Sequence, residues 1–289
     1  MFTTFYIIIN FLSYILPMKL AYFITKCVVA GVYWPFYIKG RINVEKNLSY
    51  AFADRLKRWE KEKIIFETFQ NFGLFLYEFL IIRKINQKTF RKFVNPVGFE
   101  NIKKALKKGK GVIFLTGHLG NWEWGAALLT YLGHSPMVIA KRFKNRFITN
   151  YYFDRRQKQG MEVVYLDEAV RKSLRKLKNN GLVAIVGDRD YTNQGIEVPF
   201  FGKNTRFPTG AFLLAMRNGA AVIPTFAVRM GMCKYDVIFN SPLVIESSGY
   251  KAEDIKKNLM RWVKILESYI RRYPSQWYRF EPFWGLEKE

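Results

Sequence analysis

The chain of 289 residues carries 47 Lys and Arg against 23 Asp and Glu, a formal charge of +24, and is 49% hydrophobic and 17% aromatic. That apolar content excludes a disordered or collagen-like chain and is enough for a sizeable core. Two cysteines, Cys27 and Cys233, lie far apart with no CxxC, which excludes a disulfide scaffold or an all-cysteine metal site; the charge calls for an anionic partner, either nucleic acid or the anionic face of a membrane.

The amino terminus is apolar. Residues 1 to 18 contain no formally charged side chain, and from Leu20 to Ile38 only Lys26 interrupts a run rich in Phe, Tyr, Ile and Val. A cleaved signal peptide begins with a basic segment and ends in small residues. Neither is present, so the pattern predicts an uncleaved anchor over residues 1–38. Asn10 and Pro17 weaken the first stretch as a span, and Lys26 must face protein or snorkel in the second. The expectation is a spanning or interfacial hairpin, with the basic body of the chain on the cytoplasmic side. The competing reading is a buried helix pair of a soluble protein. Next, Asn43 to Phe52 opens a helix, and Arg58 to Ile82 places Ile64, Ile65, Phe69, Phe72, Phe75, Leu76 and Phe79 near a 3.6 period. These form a helical cap, assigned to residues 39–100 of a domain that runs from 39 to 289.

From Gly111 the period shortens. Residues 112–116, 137–140, 163–166, 182–186, 222–228 and 235–239 read as strands, and 122–132, 147–159, 168–178 and 212–218 as helices between them. This alternation predicts an α/β fold with a mainly parallel central sheet flanked by helices. Gly195 to Gly202 reads as a constrained loop. Lys251 to Arg272 reads as a long closing helix with Ile255, Leu259, Trp262, Val263, Leu266 and Ile270 on one side.

The sharpest local signal is Thr-Gly-His-Leu-Gly-Asn-Trp-Glu at residues 116–123. It leaves a predicted strand and enters a predicted helix, so His118 falls at the carboxyl end of the sheet, where open α/β folds place their sites. Glu123 follows about one helical turn later, and a tight turn at 119–121 brings its carboxylate to the imidazole Nδ1, leaving Nε2 as a general base. The bland reading is that His118 caps the helix and Glu123 favours its positive end. His134, in a polar turn, reads as structural. With no evident Ser or Cys nucleophile beside this pair, the nucleophile belongs to the substrate: an acceptor hydroxyl that attacks an acyl carbonyl.

A second block, Gly187-Asp188-Arg189-Asp190, follows the strand at 182–186. Arg189 suits a phosphate or the charge on an acyl oxygen, and Asp188 suits holding either Arg189 or His118. Arg142 and Asn145 follow another strand and suit a phosphate or thioester carbonyl, with Arg155 and Arg156 sharing that work or facing membrane phosphate.

The string GHLGNWEW resembles the late acyltransferases of lipid A biosynthesis, a family that includes the mycobacterial mannoside acyltransferases. The resemblance extends through Lys141, Arg142 and Asn145, the Asp188 block, Val198-Pro-Phe-Phe-Gly202, Arg206 to Ala215, Gly219 to Pro224, and Pro274 with Gln276, Trp277 and Phe280. It implies a fold like that of glycerolipid acyltransferases and transfer of a fatty acyl chain to a hydroxyl of a membrane glycolipid. The donor would be acyl carrier protein, or sometimes acyl-coenzyme A, with no tightly bound cofactor or metal. It implies His118 and Glu123 as the catalytic pair; beside them the residues themselves suggest Asp188 and Arg189 as catalytic assistants and Arg142, Asn145, Arg155, Arg156 and Arg206 as substrate-binding. It also implies the cytoplasmic face of a bacterial inner membrane. Asp-Arg-Asp departs from the Asp-Gln of many lipid A enzymes toward the mannoside type, leaving an acyl-coenzyme A-dependent acylation of a phosphatidylinositol mannoside as the alternative. Nucleic-acid binding needs exposed stacking aromatics along a continuous basic track, and no such motif is present. No phosphate-binding glycine loop is present either.

Overall fold

Short, fully buried apolar runs alternate with helices from residue 94 onward, and the result is a seven-stranded sheet in the order β1-β9-β8-β2-β5-β3-β4. The computed structural model describes residues 15–82, 85, 87–249 and 251–284. It divides into two units, Gln87–Ser268 and a helical unit that ends at Asn86 and resumes at Tyr269.

In the sheet unit the strands are β1 (Val94–Val97), β2 (Val112–Thr116), β3 (Met137–Ala140), β4 (Glu162–Tyr165), β5 (Leu182–Val186), β8 (Ala221–Gly231) and β9 (Lys234–Phe239). Between β5 and β8 the chain forms a separate hairpin of β6 (Ile196–Phe200) and β7 (Lys203–Phe207). All sheet pairings are parallel except β8 with β9. Every residue of β2 is buried, as expected of a central strand covered on both faces. The helices Trp122–Tyr131, Arg146–Lys158, Ala169–Lys178 and Gly210–Asn218 connect the strands, and Lys251–Arg272 follows β9. In this last helix Leu259, Trp262 and Leu266 are fully buried, and Trp262 stacks on Phe226 of β8 at 5.6 Å.

The expected mainly parallel α/β sheet is present. The segment read as a loop at 195–202 is instead the first strand and the turn of the hairpin, and the turn places Phe201 and Gly202 at φ of 50° and 80°. Two residues at positive φ are what a two-residue hairpin turn requires, and Gly202 accepts this freely.

In the helical unit, α1 (Met18–Phe36) bends by 90° into α2 (Ile38–Ala51), and α3 is Arg58–Ile81. Val29, Val44, Leu48, Ile65 and Phe69 form its core, joined by Phe280. Asn47 fastens the carboxyl-terminal segment: its amide donates to the carbonyls of Arg279 and Glu281, and it accepts from the Phe283 amide at 2.8 Å. The helical cap therefore stops short of residue 100, because 94–97 and 99–106 belong with the sheet, and it gains the end of the chain. Of the anchor expected at 1–38, residues 1–14 lie outside the described residues. The rest is α1, which has two faces. Ala21, Tyr22 and Val29 are buried, Tyr22 donating to the buried Glu78, whereas Leu20, Phe23, Ile24, Val28, Val32 and Phe36 stand exposed. Among the described residues α3 is long and apolar enough to cross a membrane, and more than half of that stretch is buried within the protein.

Candidate active site

Thr116 ends β2 opposite Val186 at the end of β5, and one hydrogen bond beyond the ladder, Gly187 N–H to Thr116 carbonyl at 2.7 Å, carries the pairing on. Continued by one more residue, that register sets His118 opposite Asp188. The Asp188 carboxylate takes both groups His118 offers: Oδ1 lies 2.6 Å from Nδ1, and Oδ2 accepts the backbone N–H at 3.0 Å. A Cβ on Gly117 would lie 2.9 Å from Leu266, so glycine permits the close passage of the chain here. Gly120 turns the chain at φ 66°, where a Cβ would strike the Ala227 carbonyl. Asn121 then caps the helix Trp122–Tyr131 by accepting the Trp124 amide at 3.0 Å.

The Asp188 side chain is fully buried, while 17% of the His118 side chain remains accessible. Burial alone would raise the Asp188 carboxyl; attraction and hydrogen bonds from His118, with the charge of neighbouring Arg189, outweigh it and hold it well below the usual carboxylate range. An ionised carboxylate only accepts, so Nδ1 carries a proton, and in the neutral imidazole Nε2 is the nitrogen that keeps a lone pair. The Trp122 ring meets the imidazole edge to face at 4.9 Å and fixes its tilt.

Glu123 is not the imidazole's partner. It is buried on the capped helix and turned to Arg156, which donates from Nε at 3.0 Å and Nη2 at 2.6 Å. Burial pulls the Arg156 guanidinium down, and Glu123 outweighs that to raise it. The expectation that Glu123 orients His118 is therefore corrected: starting the helix at Trp122 directs Glu123 toward the helix Arg146–Lys158. Asn145 caps that helix, accepting from the Phe147 and Ile148 amides. Arg142 meets Asp167 at 2.9 Å and lies over Tyr165, Arg155 is buried beside Tyr151, and Arg206 faces Glu197 across the hairpin. The structure thus joins His118 to Asp188 and Glu123 to Arg156, and gives Asn145 a structural task. Among the described residues no three His, Cys, Asp or Glu side chains are grouped to hold a metal ion.

The mainly parallel sheet makes this an α/β fold, and at the sheet's carboxyl edge a buried carboxylate holds a partly accessible imidazole. Residues 1–285 match the family described as bacterial lipid A biosynthesis acyltransferase, and the chain belongs to that family; it is an acyltransferase. It is 26% identical over 223 residues to the phosphatidylinositol mannoside acyltransferase of Mycobacterium tuberculosis strain H37Rv, covering 75% of this chain and 69% of that protein. It is 25% identical over 245 residues to the lipid A biosynthesis palmitoleoyltransferase of Escherichia coli K12, covering 84% and 78%.

Proposed function

We propose that the protein transfers a fatty acyl chain from an acyl carrier protein thioester to a hydroxyl of a membrane glycolipid, a lipid A precursor being the first candidate. The observation that carries this reading is the His118 imidazole, held at Nδ1 by buried Asp188 while 17% of its side chain stays accessible. Nε2 takes the acceptor hydroxyl proton as that oxygen bonds to the thioester carbonyl carbon. The tetrahedral intermediate collapses, the carbon–sulfur bond breaks, and the imidazolium returns the proton to the departing thiolate. Asp188 balances the imidazolium without itself taking the proton. Arg189 adds positive charge at the same edge for the developing oxyanion. The exposed apolar stripe of α1 supports attachment to the cytoplasmic face of the inner membrane.

The Asp188-Arg189-Asp190 block and the mycobacterial relatives favour a second reading, acyl-coenzyme A-dependent acylation of a phosphatidylinositol mannoside. Purified protein incubated with acyl carrier protein and coenzyme A donors and with both acceptor lipids, the products identified by mass, separates the two. Absence of any acylated lipid rejects both.

A further inference from the structure

β3 leads into the next helix through Lys141-Arg142-Phe143-Lys144-Asn145-Arg146-Phe147, seven consecutive exposed residues. Phe143 is 49% exposed and Phe147 37%, near Tyr191 at 45%. Phe143 contacts Tyr152 at 5.2 Å and Phe147 stacks on Tyr151 at 6.4 Å, and the ring area still in water carries an unfavourable free energy that an apolar environment removes. The segment is pinned in this posture. The Phe143 amide donates to Thr149 Oγ1 at 2.9 Å, that hydroxyl is 3.2 Å from the Phe143 carbonyl, and Asn145 caps the helix. The charges are one-sided. Arg142 meets Asp167, Lys141 lies 4.5 Å over the Tyr191 ring, and among the described residues no carboxylate pairs with Lys144 or Arg146.

This segment leaves the sheet at the same edge as the dyad. β3 adjoins β5, which adjoins β2, all parallel, so residues 141–147, Asp188 and His118 all follow carboxyl ends of neighbouring strands. Two contacts tie them together: Tyr191, under Lys141, lies three residues beyond Asp188, and the helix that begins in the segment holds Glu123 through Arg156.

We propose that residues 141–147, with Tyr191, form a membrane-docking rim on the sheet unit, separate from α1. Phe143 and Phe147 enter the apolar layer, while Lys144 and Arg146 meet phosphates of anionic lipid. Alternation of rings and unpaired cations matches the layering of a bilayer interface, apolar beneath and anionic above, which is why lipid is favoured over an acidic protein. The rim sets the His118 edge at the headgroup plane, so a lipid hydroxyl reaches Nε2 without the lipid leaving the bilayer. That last consequence rests on the proposed reaction; the docking itself does not.

The test places Phe143→Trp in the full chain and adds vesicles of phosphatidylcholine and phosphatidylglycerol with brominated acyl chains. The added indole emission, taken as the difference from the parent chain, is expected to be quenched. The further changes Lys144→Gln and Arg146→Gln should raise the lipid needed about 30-fold, each cation near an anionic surface being worth roughly fivefold. Emission that stays unquenched while the chain binds vesicles through another surface overturns the proposal. So does a higher KM for an acyl carrier protein donor with quenching untouched, which would assign the cations to an acidic protein. Acylation of a lipid A precursor in detergent micelles, where no bilayer needs docking, should survive the two Gln changes and shows that the variant is folded. Quenching with no acylation of any lipid supports the rim and overturns the reaction instead.

Discussion

His118 hydrogen-bonds to Asp188 and Glu123 pairs with Arg156, and substitution tells the two couples apart. His118→Ala removes the proposed base and should lower turnover at least about 100-fold, the scale general acid–base catalysis commonly supplies. Asp188→Asn presents an amide that can donate to Nδ1 and so favours the wrong tautomer; a fall in kcat of about 100-fold or more with KM nearly unchanged is expected. Glu123→Gln acts elsewhere. It leaves the Arg156 guanidinium, whose side chain is 16% exposed, without its charge partner. Denaturant unfolding should register a loss of about 3 kcal/mol, the lower end for breaking a buried pair from one side. Glu123→Gln combined with Arg156→Met should recover part of it, because the uncompensated charge is gone. A Glu123→Gln variant of parental stability, with kcat abolished as in His118→Ala, would return Glu123 to the chemistry. The sequence placed His118 correctly because Gly-His after a buried apolar run is a strand-end signal. It misassigned the imidazole's partner because spacing along one helix is local, whereas the His118–Asp188 contact depends on the register of β2 against β5, set by strands 70 residues apart.

Elements with strong periodicity were legible, and those whose identity depends on tertiary pairing were not. β2, β3, β5 and the helix Lys251–Arg272 follow the sequence pattern to the residue. β1 escaped because Val-Asn-Pro-Val is short and contains a proline, tolerated here at the sheet edge beside β9. The β6–β7 hairpin escaped because Pro199 and the Phe201-Gly202 turn look like loop signals when the partner strand is unknown. α1 was legible as apolar but not as two-faced, since its buried stripe is defined only by what α3 offers it. That second stripe can be tested directly. Phe23→Ser, Val28→Ser and Val32→Ser together remove three exposed apolar side chains, at roughly 1 kcal/mol each. Vesicle affinity should fall about 100-fold on that scale while thermal unfolding is nearly unchanged. Sedimentation with vesicles reads the first and calorimetry the second. Unaltered vesicle binding would remove α1 from membrane attachment, and a large loss of stability would show the stripe to be packed against protein.

At the scale of the whole molecule, a chain of charge +24 is proposed to use His118 as a base, and among the described residues no serine, threonine or cysteine hydrogen-bonds to that imidazole. Among the described residues the hydrogen-bond and ring partners of the imidazole are Asp188, fully buried, and Trp122, and neither offers a hydroxyl or thiol to an acyl carbon. On the proposed mechanism the acceptor stands at Nε2 when the thioester arrives, and both substrates occupy the enzyme together. Steady-state rates over a grid of donor and acceptor concentrations should give intersecting reciprocal lines, where a covalent acyl-enzyme gives parallel ones. Rapid quench with labelled donor in the absence of acceptor should leave no label on denatured protein, and on adding acceptor the label should pass to lipid in a single phase. A protein-bound acyl group that forms and decays at the turnover rate would mean that a serine, threonine or cysteine reaches the donor during the cycle. Direct transfer would then be wrong even with lipid acylation intact, and His118 would be activating a protein nucleophile in place of the acceptor.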